Sequence, residues 1–292
     1  MPRLPRIRTE LALATRGKVG GWLDGIHPSV HAGRSLEFHD VREYVRGDDP
    51  SDIDWKASAR LGTLLVQRHV ARRRTTVLLA VDSGRGMAAL ASPGLPKREL
   101  ALDAAATLAS LALAGGDHVG ILHAIGGSAV SNRPSARPVR VERMLRAVED
   151  AITPDADDAD LPALLERTSK SWPGRGIVGL VLGDVEVDQH LEALLRRLSV
   201  QHAVLVVVVP DLDPTDPTLR RALVGVDDGR AIPAELVRDR ELAAAWRHGV
   251  EDRARRRTTA LAHLAIPSIT LRAQTRVVPQ MLSWLRSVRH AQ

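Results

Sequence analysis

The chain has 292 residues, of which 44% are hydrophobic and 26% charged, with a formal net charge of +6 and no cysteine. That length can bury a sizeable core and suits one domain beside a smaller one, while the lack of cysteine excludes disulfides, cysteine nucleophiles and thiolate metal sites together. The longest apolar run, AVLVVVV at 203–209, is strand-sized and far below the roughly 20 residues of a membrane-crossing helix, so a globular chain without a membrane span is expected.

The opening MPRLPRIRTELALATRG has no continuous apolar core of the kind a secretory signal needs, and a cytoplasmic location is expected. From there to about residue 74 the chain is rich in glycine, proline and charge, with apolar alternation only at LLVQRHV (64–70). This reads as an irregular segment with short strands and turns. A boundary near residue 74 then separates an N-terminal segment, 1–74, from a domain spanning 75–292.

Beyond that boundary the pattern changes. TVLLAVD (76–82) reads as a buried strand, RELALDAAATLASLALAGG (98–116) as a helix closed by glycine, and DHVGILHAI (117–125) as a second strand. Together they make a βαβ unit. A helix at VERMLRAVEDAI (141–152), an acidic loop at 153–160 and a helix at LPALLERTS (161–169) follow. Next come the strand GIVGLVLGDV (176–185), the helix DQHLEALLRRLS (188–199) and the strand HAVLVVVVP (202–210). An amphipathic helix over about 234–265 leads to SITLRA and to a last helix ending near His290. Strands apolar on both faces and spaced by helices predict a mostly parallel sheet covered on both sides, a doubly wound, Rossmann-like α/β fold.

In such folds ligands gather at the carboxyl ends of the strands. Asp82 stands there, at the head of the turn Ser83-Gly84-Arg85-Gly86. No Gly-x-Ser-x-Gly elbow, P-loop or Gly-x-Gly-x-x-Gly cradle is present, so no catalytic nucleophile or nucleotide site is expected. Arginine-dense runs at 68–74 and 253–257 raise nucleic-acid binding as one alternative. Only seven aromatic residues are available to stack on bases, which argues against it.

The N-terminal segment contains RGDDPSDIDWK (46–56), four aspartates in one proline turn. Asp48 or Asp49 is expected to cap backbone amides there, with Arg42 or Arg60 paired to Asp54 and Trp55 buried. Asp54-Trp55-Lys56 resembles half of a metal-nuclease motif, but the acids crowd into one turn instead of meeting across strands. Histidines 27, 31, 39 and 69 share the segment, and without a regular helix around Pro28 and Gly33 they read as surface groups, not zinc ligands.

The longer string GRSLEFHDVREYVRGDDPSDIDWKASAR resembles the signature of the bacterial family called domain of unknown function 58. Its matching residues are Gly33, Glu37, Phe38, Arg42, Tyr44, Gly47, Asp48, Asp49, Ile53, Asp54, Trp55, Ala59 and Arg60. The resemblance implies a von Willebrand factor A-like domain after the string, and a partner more than a reaction. Family members are typically encoded beside MoxR-type AAA+ ATPases and are thought to assist them in assembling or remodelling client proteins. A non-catalytic adaptor is therefore expected, with ATP hydrolysis belonging to the partner.

Domains of that type often hold Mg²⁺ at a metal-ion-dependent adhesion site. The resemblance sets its Asp-x-Ser-x-Ser motif on Asp82–Gly86, its threonine loop near Ala159 and its last acidic position on Asp184. Both serine positions are glycine here, Gly84 and Gly86, and Ser83 is one residue out of register. Mg²⁺ wants near-octahedral oxygen ligands, so Asp82 and Asp184, even helped by Asp158 or Asp160, make a degenerate site. No cofactor is expected, with Arg85 a candidate to supply the missing positive charge to a docking partner. The alternative is a divalent-metal-dependent binding protein or hydrolase using Asp82 and Asp184.

Overall fold

The structure is a computed structural model that describes residues 2–15, 19, 22–23, 38–46, 48–69, 74–125, 128–216, 218–219, 223–233 and 235–291. Gly33, Glu37 and Gly47 of the signature, His27, His31 and most of the 68–74 basic run lie outside the described residues. The chain divides into two compact units, residues 28–74 and residues 1–27 with 75–292. The first 27 residues thus group with the α/β unit, where the sequence pattern had assigned them to the N-terminal segment.

The larger unit begins with helix α1 (Arg3–Ala14). Leu4, Ile7 and Leu11 form a narrow stripe that is at most 1% exposed, and Arg3 is buried beside them. Its guanidinium donates to Glu99 at 2.9 Å, Asp103 at 2.7 Å and Glu149 at 2.9 Å. Glu142 receives the amides of Arg3 and Leu4, each at 2.8 Å. One buried cation thus meets three carboxylates, and a fourth satisfies the free amides that every helix start leaves.

In the smaller unit, β1 (Phe38–Glu43) and β2 (Leu65–His69) pair antiparallel, with Glu43 opposite Leu65. Between them lie a 3₁₀ turn at Pro50–Asp52 and the helix α2 (Trp55–Leu61). Asp48 accepts from the Val45 amide at 2.9 Å and Asp49 from the Ser51 amide at 3.0 Å. Asp54 caps α2 through the amides of Lys56 and Ala57. Two expectations change. Arg42 pairs with Asp48, at 2.6 Å, and Trp55 is 66% exposed instead of buried, because α2 starts at Trp55 and turns that first side chain outward.

The α/β unit continues with β3 (Thr76–Val81), the short hairpin β4 (Leu90–Ser92) and β5 (Leu95–Pro96), α3 (Lys97–Ala114), β6 (His118–Ile125) and β7 (Ser128–Ser131). Then follow α4 (Pro138–Ala151), α5 (Leu161–Ser171), β8 (Ile177–Leu182), α6 (Gln189–Gln201) and β9 (Ala203–Val208). The chain closes with α7 (Glu235–Arg238), α8 (Arg240–His263), β10 (Ser268–Thr270) and α9 (Val277–His290). The single helix expected over 234–265 is interrupted at Asp239, whose carboxylate receives the amides of Glu241 and Leu242 and restarts it.

The central sheet has the order β10-β9-β8-β3-β6-β7, parallel throughout except for the edge strand β7. Alternation along β3 sends Val77, Leu79 and Val81 into one core with α1, α3, α4 and α9. Leu78 and Ala80 enter a second core with α5, α6 and α8. This is the doubly wound α/β fold. After β3 the chain passes first to β6 on one side and later to β8 on the other, so the carboxyl ends of β3 and β8 flank the topological switch point.

Helix α8 ends in a Schellman motif: the Ile266 amide reaches the Leu261 carbonyl and the Ala265 amide the Ala262 carbonyl, both at 2.9 Å. Ala265 closes it at φ 53°, a left-handed conformation that glycine adopts without strain. Replacing Ala265 with glycine is expected to stabilise the protein by about 1 kcal/mol. An unchanged midpoint in urea unfolding would contradict that.

Candidate functional site at the carboxyl edge of the sheet

Strand β3 is buried along its whole length and delivers Asp82 to the switch point. The Asp82 carboxylate is 7% exposed and accepts from the Gly84 amide at 3.0 Å and the Gly183 amide at 3.3 Å. It therefore ties the turn after β3 to the end of β8. Burial pushes its carboxyl up from the usual range, while the two amides and the nearby charge of Lys97 pull it down.

Lys97 was not among the expected site residues. It opens α3, and its side chain is 4% exposed. A Cβ placed on Gly183 would stand 3.2 Å from Lys97 Nζ and 3.5 Å from Asp82 Oδ2, so ammonium and carboxylate border the same small space. The other side of the ammonium pairs with Asp211, a half-exposed carboxylate on the loop after β9. A side chain at position 183 would press on the Lys97 ammonium, which would have to give by a few tenths of an ångström.

The remaining expected residues are engaged elsewhere. Asp184 is ion-paired with Arg257, a 3% exposed guanidinium on α8 that also donates to the Val185 carbonyl at 3.4 Å. Asp82 and Asp184 are thus claimed from opposite faces of the sheet, one on the α3 side and one on the α8 side. Ser83 donates to the Ala124 carbonyl and lies 3.4 Å from His123 Nδ1, facing β6. Burial there pushes the His123 imidazole down. Asp160 is the cap of α5, accepting from the Ala163 amide at 2.8 Å.

Arg85 joins three loops and is not a free docking charge. Its amide donates to the Asp157 carbonyl at 3.1 Å, its Nη1 to the Asp227 carbonyl at 3.3 Å, and its Nε lies 3.0 Å from Asp158 Oδ1. That Nε–H is not aimed at the oxygen and makes no hydrogen bond, so the Asp158 contact is an ion pair near the surface. The charge close to Asp82 belongs to Lys97.

A divalent ion would need several oxygens at Asp82, and the residues present do not fit one. Among the described residues no group of three His, Asp or Glu side chains converges as ligands would. A Cβ on Gly84 would sit 2.3 Å from the Ala159 amide nitrogen, so the place of the first expected hydroxyl is filled by backbone. Gly84→Ser is accordingly expected to cost about 2 kcal/mol by overpacking and to create no Mg²⁺ binding. Calorimetric titration and urea unfolding of the variant check both halves of that statement.

The basic run 253–257 is also largely engaged. Arg255 pairs with Asp252, Arg256 with Glu186 at 3.9 Å and Arg257 with Asp184. The shallow hollow between α6 and α8 mixes Arg255, Arg256 and His263 with Glu192 and Asp252. That surface is not the one-sign stripe that tracks a nucleic-acid backbone.

A family model described as "Protein of unknown function DUF58" matches residues 40–258, from β1 into α8. The chain belongs to the DUF58 family. The matched range includes residues of both compact units. An uncharacterized protein of Mycobacterium bovis, Mb1516, is 30% identical over 223 residues, which cover 75% of this chain and 68% of that protein. Uncharacterized protein Rv1480 of Mycobacterium tuberculosis matches with the same identity and coverage. Among solved structures, an aerotolerance-related membrane protein from Bacteroides fragilis aligns with a TM-score of 0.47 at 13% identity, covering 75% of this chain and 100% of its own. BatB from Bacteroides thetaiotaomicron, a conserved hypothetical protein, aligns with a TM-score of 0.48 at 12% identity, covering 74% and 99%. No helix among the described residues is long and apolar enough to cross a membrane.

Proposed function

We propose that this DUF58 chain is a non-catalytic adaptor that meets its partner at the loops on the carboxyl edge of the sheet. In this reading the unit is von Willebrand factor A-like, with a degenerate adhesion site whose positive charge is a lysine instead of a metal ion. The observation that carries it is the Lys97 ammonium, buried at the switch point between Asp82 and Asp211. A fixed ammonium supplies charge for docking without any reaction. The partner class implied by the family signature is a MoxR-type AAA+ ATPase, acting on a client protein in the cytoplasm.

Capture with the wild-type chain, followed by mass spectrometry, tests the partner. Recovery of an AAA+ ATPase, reduced when Lys97 is replaced by methionine, supports the reading. Equal recovery by both chains would remove the Lys97 edge from it. Calorimetry with Mg²⁺ and Mn²⁺ tests the rival, a metal-dependent binding protein or hydrolase: micromolar binding abolished by Asp82→Ala would favour it. Retention on DNA that weakens steeply with salt would favour the nucleic-acid reading instead.

A further inference from the structure

Lys97 breaks two local rules. A cation in the first turn of an 18-residue helix opposes the helix dipole, and lysine is among the residues least often fully buried. The chain has four lysines among its 41 basic residues, and one of them stands here. A guanidinium is a broad planar fork, whereas an ammonium is a point charge that fits beside Gly183.

The two carboxylates around it are not equivalent. Asp82 is fixed, 7% exposed, with both oxygens bound to backbone amides. Asp211 has a side chain 53% exposed and stands between the ammonium and solvent. The backbone beside it is anchored independently, since the Leu212 amide donates to the Leu90 carbonyl at 2.9 Å and Asp213 closes a turn onto Thr215. The Asp211 carboxylate can therefore leave the ammonium by rotating its own side chain while the loop stays in place.

We propose that Lys97 is a carboxylate-recognition point, occupied in the free chain by Asp211, and that an aspartate or glutamate of a partner takes the place of Asp211. The inference rests on the adaptor reading and gives its site a ligand chemistry. One carboxylate for another leaves the charge around the ammonium unchanged, so the exchange itself is nearly neutral in Coulomb terms. A dianionic phosphate would add a second negative charge against Asp82, and the site selects a monoanion. Asp211 also screens the ammonium from casual anions, because an incoming group must compete with an occupant already held in place.

The test uses sodium formate as the smallest carboxylate, titrated against sodium chloride at constant ionic strength and read by thermal unfolding. The Asp211→Ala chain is expected to gain about 2 °C in midpoint with formate over chloride, saturably. The wild type, already occupied, and the Lys97→Met/Asp211→Ala chain, without an ammonium, are expected to gain nothing specific. If Asp211→Ala does not fold, the near-isosteric Asp211→Asn takes its place. A capped peptide with a single glutamate should then bind Asp211→Asn about tenfold more tightly than wild type, and the same peptide with glutamine should bind neither. Absence of a formate-specific shift, or an equal shift in the chain lacking Lys97, overturns the proposal. Partner capture that succeeds while formate fails sinks only the exchange; a formate shift without any captured ATPase leaves the exchange standing and removes the adaptor reading.

Discussion

Replacing Lys97 with methionine is expected to lower the stability of the protein by about 3 kcal/mol near pH 7, the lower end of what breaking a buried pair costs. Methionine matches the length of the lysine stem, so the loss is of charge and not of packing. Asp211 is half exposed and can turn to water, which limits its share. Asp82 cannot turn away, being buried and held by the amides of Gly84 and Gly183. Burial already pushes its carboxyl above the usual range, with Lys97 opposing the shift, and without Lys97 the carboxyl rises further. A carboxyl raised in the folded state binds its proton more tightly there than in the unfolded chain. Its contribution is therefore fully present below the unfolded value, near 4, and is lost as pH climbs through the folded value. The variant should be least stable at neutral to alkaline pH and recover toward pH 5, and Lys97→Met combined with Asp82→Asn should regain most of the loss at pH 7. Urea unfolding at several pH values measures this. A deficit that is independent of pH and unchanged by Asp82→Asn would show that Lys97 acts by packing.

The central sheet is legible in the sequence because its inner strands are covered on both faces. VLLAV, IVGLVL and AVLVVV are uninterrupted apolar runs and HVGILHAI is broken only by its histidines, and such runs between helical patterns leave little choice of fold. The edge strand β7, with the sequence SAVS, gives no such signal. Helix α1 was hidden for a different reason. Its buried stripe is only Leu4, Ile7 and Leu11, and the arginine beside them reads as surface until Glu99, Asp103 and Glu149 arrive from α3 and α4. Long-range charge pairing cannot be read from local periodicity.

The site was half legible. Asp82 is marked by its position at the end of a buried strand, and Gly84 and Gly86 by a motif that lacks its hydroxyls. Lys97 fell one residue outside the predicted helix, and Asp211 lay in a loop with several other acids, so nothing local joined them to Asp82. One clue was available: a lone lysine just before an alanine-rich helix, in a chain that otherwise uses arginine almost throughout. Asp184 misled the reading because its place after β8 is right for a ligand, while its partner Arg257 sits inside a run that looks like a solvated basic face.

That run makes Arg257 the second residue with a large expected effect. Helix α8 buries few side chains, Ala243, Arg257 and Leu261, so the ion pair with Asp184 is a principal attachment of the helix to the sheet. Arg257→Met keeps much of the apolar stem but leaves the Asp184 carboxylate, in a side chain only 14% exposed, without its guanidinium. The expected cost is about 3 kcal/mol, and Asp184→Asn in the same chain should return a good part of it, because the stranded charge and not the missing bond dominates the penalty. The same variant separates the two readings of the sheet edge. If Asp184 were a metal ligand held in reserve, freeing it from Arg257 would give Mg²⁺ or Mn²⁺ a second carboxylate and raise the unfolding midpoint in their presence. The Lys97 ammonium beside Asp82 repels a divalent cation whatever Asp184 does, so neither ion should shift the midpoint of Arg257→Met. A metal-dependent rise that vanishes on adding Asp82→Ala would show that the lysine does not close the site to metal.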